Sequence, residues 1–128
     1  MKIEELYQRV GGDYRLIKAA LSSERIIKKY VLKFKDATCF AELKAHLEAG
    51  KMQEAFGSAH ALKGICQNIG FASLQQSVAE LTELLRPGNA PVIDTEAAKR
   101  LFAQVEKDYG LTLAAVLDYE AALIEEEE

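Results

Sequence analysis

The sequence predicts an all-α protein, an antiparallel four-helix bundle with short additional helices at its N-terminus. Three observations carry that expectation. Apolar residues recur at steps of three and four through almost every segment. No alternation of period two persists, and no block rich in Val, Ile and Thr is bounded by turns. The four longer periodic segments begin near residues 37, 51, 71 and 95 and are joined by short breaks, as suits antiparallel neighbours. At 128 residues the chain is expected to form a single domain over 1–128.

Each element has its own signal. Residues 2–9 read as a short amphipathic helix with Ile3, Leu6 and Tyr7 on one side and Val10 closing it. Gly11-Gly12 stops it, and Asp13 is a fitting N-cap for a second short helix holding Tyr14, Ile17 and Leu21. Ser22 or Ser23 then caps a third, with Ile26, Ile27, Tyr30, Val31 and Phe34 as its apolar stripe and Lys28, Lys29, Lys33 and Lys35 as a solvated basic face. A bend is expected over residues 36–38. The next helix carries Phe40, Leu43 and Leu47 and ends at Gly50, with His46 a surface residue near its end. Residues 51–69 form the fifth helix, and Gly70 is its left-handed C-cap. Residues 71–86 return antiparallel to it on Leu74, Val78, Leu81 and Leu85. Pro87-Gly88-Asn89-Ala90-Pro91 is the clear loop. Asp94 or Thr95 caps the last helix, about 95–124, whose stripe is Ala98, Phe102, Val105, Tyr109, Thr112, Val116, Tyr119 and Leu123. Gly110 is expected to allow a bend or a close helix contact there, and residues 125–128 to be a frayed, solvated tail, since like charges are unfavourable at a helix C-terminus.

Composition narrows the function classes. The net charge of −4 leaves no basic footprint, which argues against nucleic acid as the main partner. Apolar runs are only a few residues long, so no membrane span is expected, and the Met1-Lys2-Ile3-Glu4-Glu5 start lacks the apolar core of a signal peptide. Cys39 and Cys66 sit in apolar helical patterns and read as buried free thiols; the cytoplasm is the expected compartment. Neither makes a metal spacing with His46 or His60, and no metal site is expected.

The stretch at residues 59–70, Ala-His-Ala-Leu-Lys-Gly-Ile-Cys-Gln-Asn-Ile-Gly, organises the rest. At roughly 100° per residue, Met52, Ala55, Ala59, Leu62, Cys66 and Ile69 share one stripe, while His60, Lys63 and Gln67 share the flank beside Phe56. Gly57, Ala61 and Gly64 project little side chain around the imidazole. A neutral imidazole nitrogen is a nucleophile. A phosphoryl group on it would carry nearly two negative charges, which an ammonium one turn away pairs well. Gly64 costs about 1 kcal/mol of helix stability against Ala, and the close approach of a phosphate or a partner's backbone is one reason to keep it. The same pattern fits a half-buried structural histidine and a glycine of tight helix packing, so the residues alone leave the chemistry open.

His60-Ala61-Leu62-Lys63-Gly64 followed by Asn68-Ile69-Gly70 resembles the His-x-Leu-Lys-Gly…Asn-Leu-Gly signature of histidine-containing phosphotransfer (HPt) domains, and the likeness extends over residues 11–86. The resemblance implies a phosphorelay intermediate of two-component signalling. His60 would be the phosphoacceptor through Nε2, Lys63 would screen the phosphate and Gly64 would leave room for it. Many members carry Glu or Gln 22 residues after the phosphorylated histidine, where it orients the ring; here Thr82 stands at that position, with a shorter reach. Gln67, on the flank of His60, is the alternative ring or phosphate contact. The implied partners are response-regulator receiver domains and a sensor or hybrid histidine kinase. Mg²⁺ is expected on the receiver and no cofactor on this chain, which has no P-loop, no kinase glycine-rich loop and no acidic cluster near His60. It is therefore expected to be a phosphocarrier rather than an enzyme. A monomer is expected, because one bundle closes its own core. The competing reading is a helical interaction module that binds receiver or kinase domains without accepting phosphate.

Overall fold

The computed structural model describes residues 1–88 and 91–127. Among these residues seven α-helices follow one another: α1 (Ile3–Arg9), α2 (Tyr14–Leu21), α3 (Glu24–Lys33), α4 (Cys39–Glu48), α5 (Met52–Ile69), α6 (Ala72–Leu85) and α7 (Thr95–Glu127), with a 3-10 turn at Phe34–Asp36 between α3 and α4. Among the described residues there is no strand, and no helix is long and apolar enough to cross a membrane. Helices α4 to α7 form the antiparallel bundle: α5 packs between α4 and α6, and α7 packs on α6. The ring closes through side chains, Phe40 of α4 stacking on Tyr109 at 3.9 Å and on Phe102 at 5.7 Å. Helix α1 lies against α7, and α3 bridges α5 and α7, so the short N-terminal helices cover one end of the bundle.

Local chemistry explains the boundaries. Asp13 accepts from the Arg15 N–H at 2.9 Å, Ser23 from Ile26, and Asp94 from both Glu96 and Ala97, each satisfying N–H groups that a helix start leaves without partners. Gly70 ends α5 at φ 75°, and the Phe71 N–H reaches back to the Cys66 carbonyl at 2.9 Å, the 6→1 bond of a Schellman motif. Tyr7 of α1 donates its hydroxyl to the Ile69 carbonyl at 2.6 Å, tying the N-terminal helix to the same turn. A Cβ on Gly12 would lie 2.4 Å from the Gly70 carbonyl oxygen, so these backbones meet at a distance only glycine allows.

The core contains the expected stripes of α1, α5 and α6, with Leu62, Cys66, Leu74, Val78 and Leu81 fully buried; Met52 is only half-buried. In α7, Ala98, Val105, Thr112, Val116 and Tyr119 are buried, with Ala115 beside them, and Phe102, Tyr109 and Leu123 are half-buried. Both cysteines are free and buried.

Four expectations are corrected. In α3 the apolar stripe is wider than the surface covering it: Ile27, Val31 and Phe34 are buried, but Ile26 and Tyr30 stand in solvent. Lys35 does not join a free basic face, because it pairs with Glu120 of α7. Helix α7 runs on past residue 124 to Glu127 instead of fraying, and the Met1 amino group, 4.0 Å from the Glu126 carboxylate, offsets the unfavourable charge there. Of the two alternatives at Gly110, the close helix contact is not made among the described residues, for a Cβ there would meet nothing within 4 Å. Asn89 and Ala90 of the expected loop, and Glu128 of the expected tail, lie outside the described residues.

Two predictions follow from the packing. Tyr7→Phe leaves the buried Ile69 carbonyl without its donor and is expected to cost about 1–3 kcal/mol in urea unfolding. A change within a few tenths would show the bond to be incidental. Burial pushes the Cys66 thiol from 9.0 up to about 12. Above pH 9.0 the unfolded chain therefore releases this proton while the folded chain holds it, and stability falls with rising pH. Cys66→Ala should lose less stability than the parent between about pH 8 and 10, and equal slopes would remove the thiol as the cause.

Candidate functional site

Helix α5 turns one side to the core and the other outward, and His60 is on the outward side, exposed. The residues that surround it on the helix explain why it stands clear. Gly57 and Ala61 are exposed, Gly64 is half-buried, and a Cβ added to either glycine would meet nothing within 4 Å. The bundle therefore does not use these glycines to pack. They lower the ground beside the imidazole.

Phe56, one turn before His60, stacks on it, with ring centroids 5.9 Å apart and planes inclined by 26°. The Arg86 guanidinium, at the end of α6, lies 5.3 Å from the centre of the Phe56 ring, within cation–π range. Glu83 fixes that guanidinium through two bonds, Nη2 to Oε1 at 2.8 Å and Nε to Oε2 at 3.2 Å. The bonded Arg86 holds the Glu83 carboxyl below the usual carboxylate range, and the charge of Lys63 adds to the effect. Lys63 on α5 and Glu83 on α6 are thus electrostatic neighbours across the hairpin. Two cations and one carboxylate gather on this side, leaving a net positive charge beside His60.

The other expected site residues lie apart. Thr82 is fully buried, and its hydroxyl donates to the Val78 carbonyl of its own helix at 2.6 Å. Among the described residues no hydrogen bond joins Thr82 to His60, so the expected ring-orienting contact is absent. Gln67 is exposed two turns further along α5. It lines a groove with Gly12, Asp13, Ile17 and Gln75, close to the α1–α2 junction, and makes no hydrogen bond to the imidazole among the described residues. Asn68 faces a different groove of about 450 Å³, shared with Tyr30, Lys33, Phe34 and Ile65.

The residues that sequence reasoning missed are Glu83 and Arg86. Their i, i+3 spacing signals an ion pair at the end of a helix. Placing it beside Phe56 needs the register of the hairpin. The turn at Gly70 sets Phe56 beside Arg86, and the same register brings His60 level with Thr82. Thr82 is rotated into the interior, and the next residue, Glu83, turns outward.

Chemically, the arrangement offers an accessible imidazole, a lysine one turn on, and an aromatic ring held from beneath by an oriented guanidinium. A group carrying several negative charges fits on the open side. The model of the Hpt domain family matches residues 36–119, which takes in all of α4, α5 and α6 and most of α7 and leaves out α1 to α3. The match overlaps the 11–86 over which the signature's likeness extends and runs beyond it into α7. Comparison with curated proteins and with solved structures finds no match.

Because the space beside Gly64 is open and Gly is about 1 kcal/mol poorer than Ala within a helix, Gly64→Ala is expected to stabilise the free protein by up to that amount. Thermal unfolding checks it. A destabilised variant would mean that Gly64 serves the packing of the bundle after all.

Proposed function

Because the chain belongs to the Hpt domain family, whose members are phosphotransfer modules of two-component signalling, we propose that it is a phosphorelay intermediate carrying its phosphoryl group on His60. The observation that carries this reading is the placement of His60, exposed on α5 with open ground at Gly57 and Gly64 and Lys63 one turn away.

In this reading a receiver domain docks over the Gly57–Ala61–Gly64 side of α5 with its aspartyl phosphate facing His60. The lone pair on Nε2 attacks phosphorus, the phosphorus–oxygen bond to the aspartyl carboxyl breaks, and the carboxylate leaves with the electron pair. Nδ1 keeps its proton throughout. Lys63 balances the charge gathered on the phosphoryl oxygens, with Arg86 adding to the local potential, and Phe56 limits the tilt of the ring by stacking. A second receiver reverses the step, its aspartate taking the group from Nε2. Mg²⁺ belongs to the receiver, and this chain contributes the nucleophile, the positive charge and the docking face. A sensor or hybrid histidine kinase stands upstream and a response regulator downstream, in the cytoplasm.

One observation favours the rival interaction module. Thr82 is fully buried and makes no hydrogen bond to the imidazole among the described residues, so that orienting contact is missing. One experiment separates the two readings. A labelled phospho-receiver is mixed with the wild type, with His60→Gln and with Gly64→Ala. The relay reading expects acid-labile, alkali-stable label on the wild type, none on H60Q, and transfer to G64A slowed by at least about tenfold while its fold is intact. Binding of several receivers without label on the wild type would overturn the relay and leave the interaction module.

A further inference from the structure

The outward side of α7 carries an apolar stripe that no element covers among the described residues. Ala103, Gly110, Ala114, Leu117, Ala121 and Ile124 are all exposed and, with Lys107, follow one another in alternating steps of four and three. That is the spacing of a seam between two helices in a left-handed pair. Leu111, Leu117 and Ile124 remain 60, 44 and 54 % exposed. The flanks of the stripe are occupied, for Asp118 is bridged to Arg9, Glu120 to Lys35 and Glu106 to Lys44. These pairs hold α1, the 3-10 turn and α4 to either side and leave the stripe clear between them. Gly110 lies within it, carrying the helix cost of glycine with open space beside it.

We propose that this face of α7 is the interface of an antiparallel homodimer. The charge pattern selects the occupant and its direction. Lys107, at a seam position, and Glu125, on the flank that Lys107 borders, stand near the two ends of the stripe, and neither belongs to an ion pair within its own chain among the described residues. An antiparallel pair centred between Ala114 and Leu117 sets Gly110 of one copy opposite Ala121 of the other, and Ala114 opposite Leu117. The same register brings Lys107 of each copy alongside Glu125 of the other. A parallel pair would instead set lysine against lysine and align the two acidic helix ends, with their dipoles, side by side. The stripe is therefore self-complementary, as an isologous two-fold contact requires. Small residues at Gly110, Ala114 and Ala121 let the axes approach closely enough for Leu117 to pack across the seam. Helix α5 has α4 and α6 as its bundle neighbours and lies across the bundle from α7, so both His60 faces stay open in the dimer. A closed core alone would leave a monomer; the exposed face of α7 adds a reason to pair.

Sedimentation equilibrium of the full chain from micromolar to about millimolar concentration tests this. The expected result is a mass rising with concentration from 14.2 kDa toward twice that value. Leu117→Arg should hold the protein monomeric, with unchanged circular dichroism and melting temperature. Lys107→Glu should weaken self-association about tenfold, since two ion pairs become two repulsions, and the double variant K107E/E125K should restore it. A wild type that stays monomeric throughout overturns the proposal and gives the stripe to another partner. A dimer unaffected by L117R places the contact elsewhere. A double variant as weak as K107E overturns the antiparallel register.

Discussion

The site on α5 depends on the turn at Gly70. That residue closes α5 in the left-handed region, and three separate groups converge on it. The Phe71 N–H bonds back to Cys66, the Tyr7 hydroxyl bonds to Ile69, and Gly12 brings the N-terminal backbone against the Gly70 carbonyl. Each fixes the turn from a different direction. The register of α5 against α6 follows from it, and with that register the pairing of Phe56 with Arg86 and the level at which His60 meets α6. His60 lies ten residues before the turn, about 15 Å along a continuous helix, so its position is set by rigid structure rather than by a loop.

The two sides of α5 solve opposite problems with small residues. Ala55, Ala59 and Cys66 are buried and let α4 and α6 approach. Gly57, Ala61 and Gly64 are small on the other side, and a Cβ on either glycine would meet nothing within 4 Å among the described residues. Between these sides runs the brace of Glu83, Arg86 and Phe56. Its ion pair is exposed at both ends, and pairs of that kind contribute little to stability. What it does is geometric. Two bonds from one carboxylate fix the plane of the guanidinium, which lies against Phe56, whose ring limits the freedom of the imidazole.

Much of this was legible in the sequence, and the exceptions have physical causes. The stripes of α5 and α6, the cap at Gly70 and the caps at Asp13, Ser23 and Asp94 were read from period and residue type because they depend on neighbours three or four residues away. The exposed positions of Ile26 and Tyr30 were not, since the width of an apolar stripe does not reveal how much surface will be brought to cover it. Lys35 looked like part of a solvated basic face until a helix 85 residues further on supplied Glu120. Thr82 illustrates the finer limit. Hairpin arithmetic places it level with His60, but whether a side chain at that level points out or in depends on the rotation of α6 about its axis, and the burial of Leu81 and Leu85 decides that. The same rotation turns Glu83 outward toward Lys63.

Gly64 and Gly110 give the most general argument. A glycine inside a helix costs stability, and a protein recovers that cost when the missing side chain allows a neighbouring helix to come close. Neither glycine has such a neighbour among the described residues. At Gly64 the unfilled space adjoins an exposed histidine with cations near it; at Gly110 it adjoins exposed leucines and a lysine with no ion pair among the described residues. At both positions the described residues leave open the space that a docking partner would fill. If the proposed relay and the proposed dimer hold, a bundle with a closed core divides its surface into two working faces. The polar, low-lying face of α5 suits a brief encounter in which a charged group changes hands, whereas the longer apolar face of α7 suits a lasting contact. Because α5 and α7 are not neighbours in the ring of four helices, occupying one face leaves the other free.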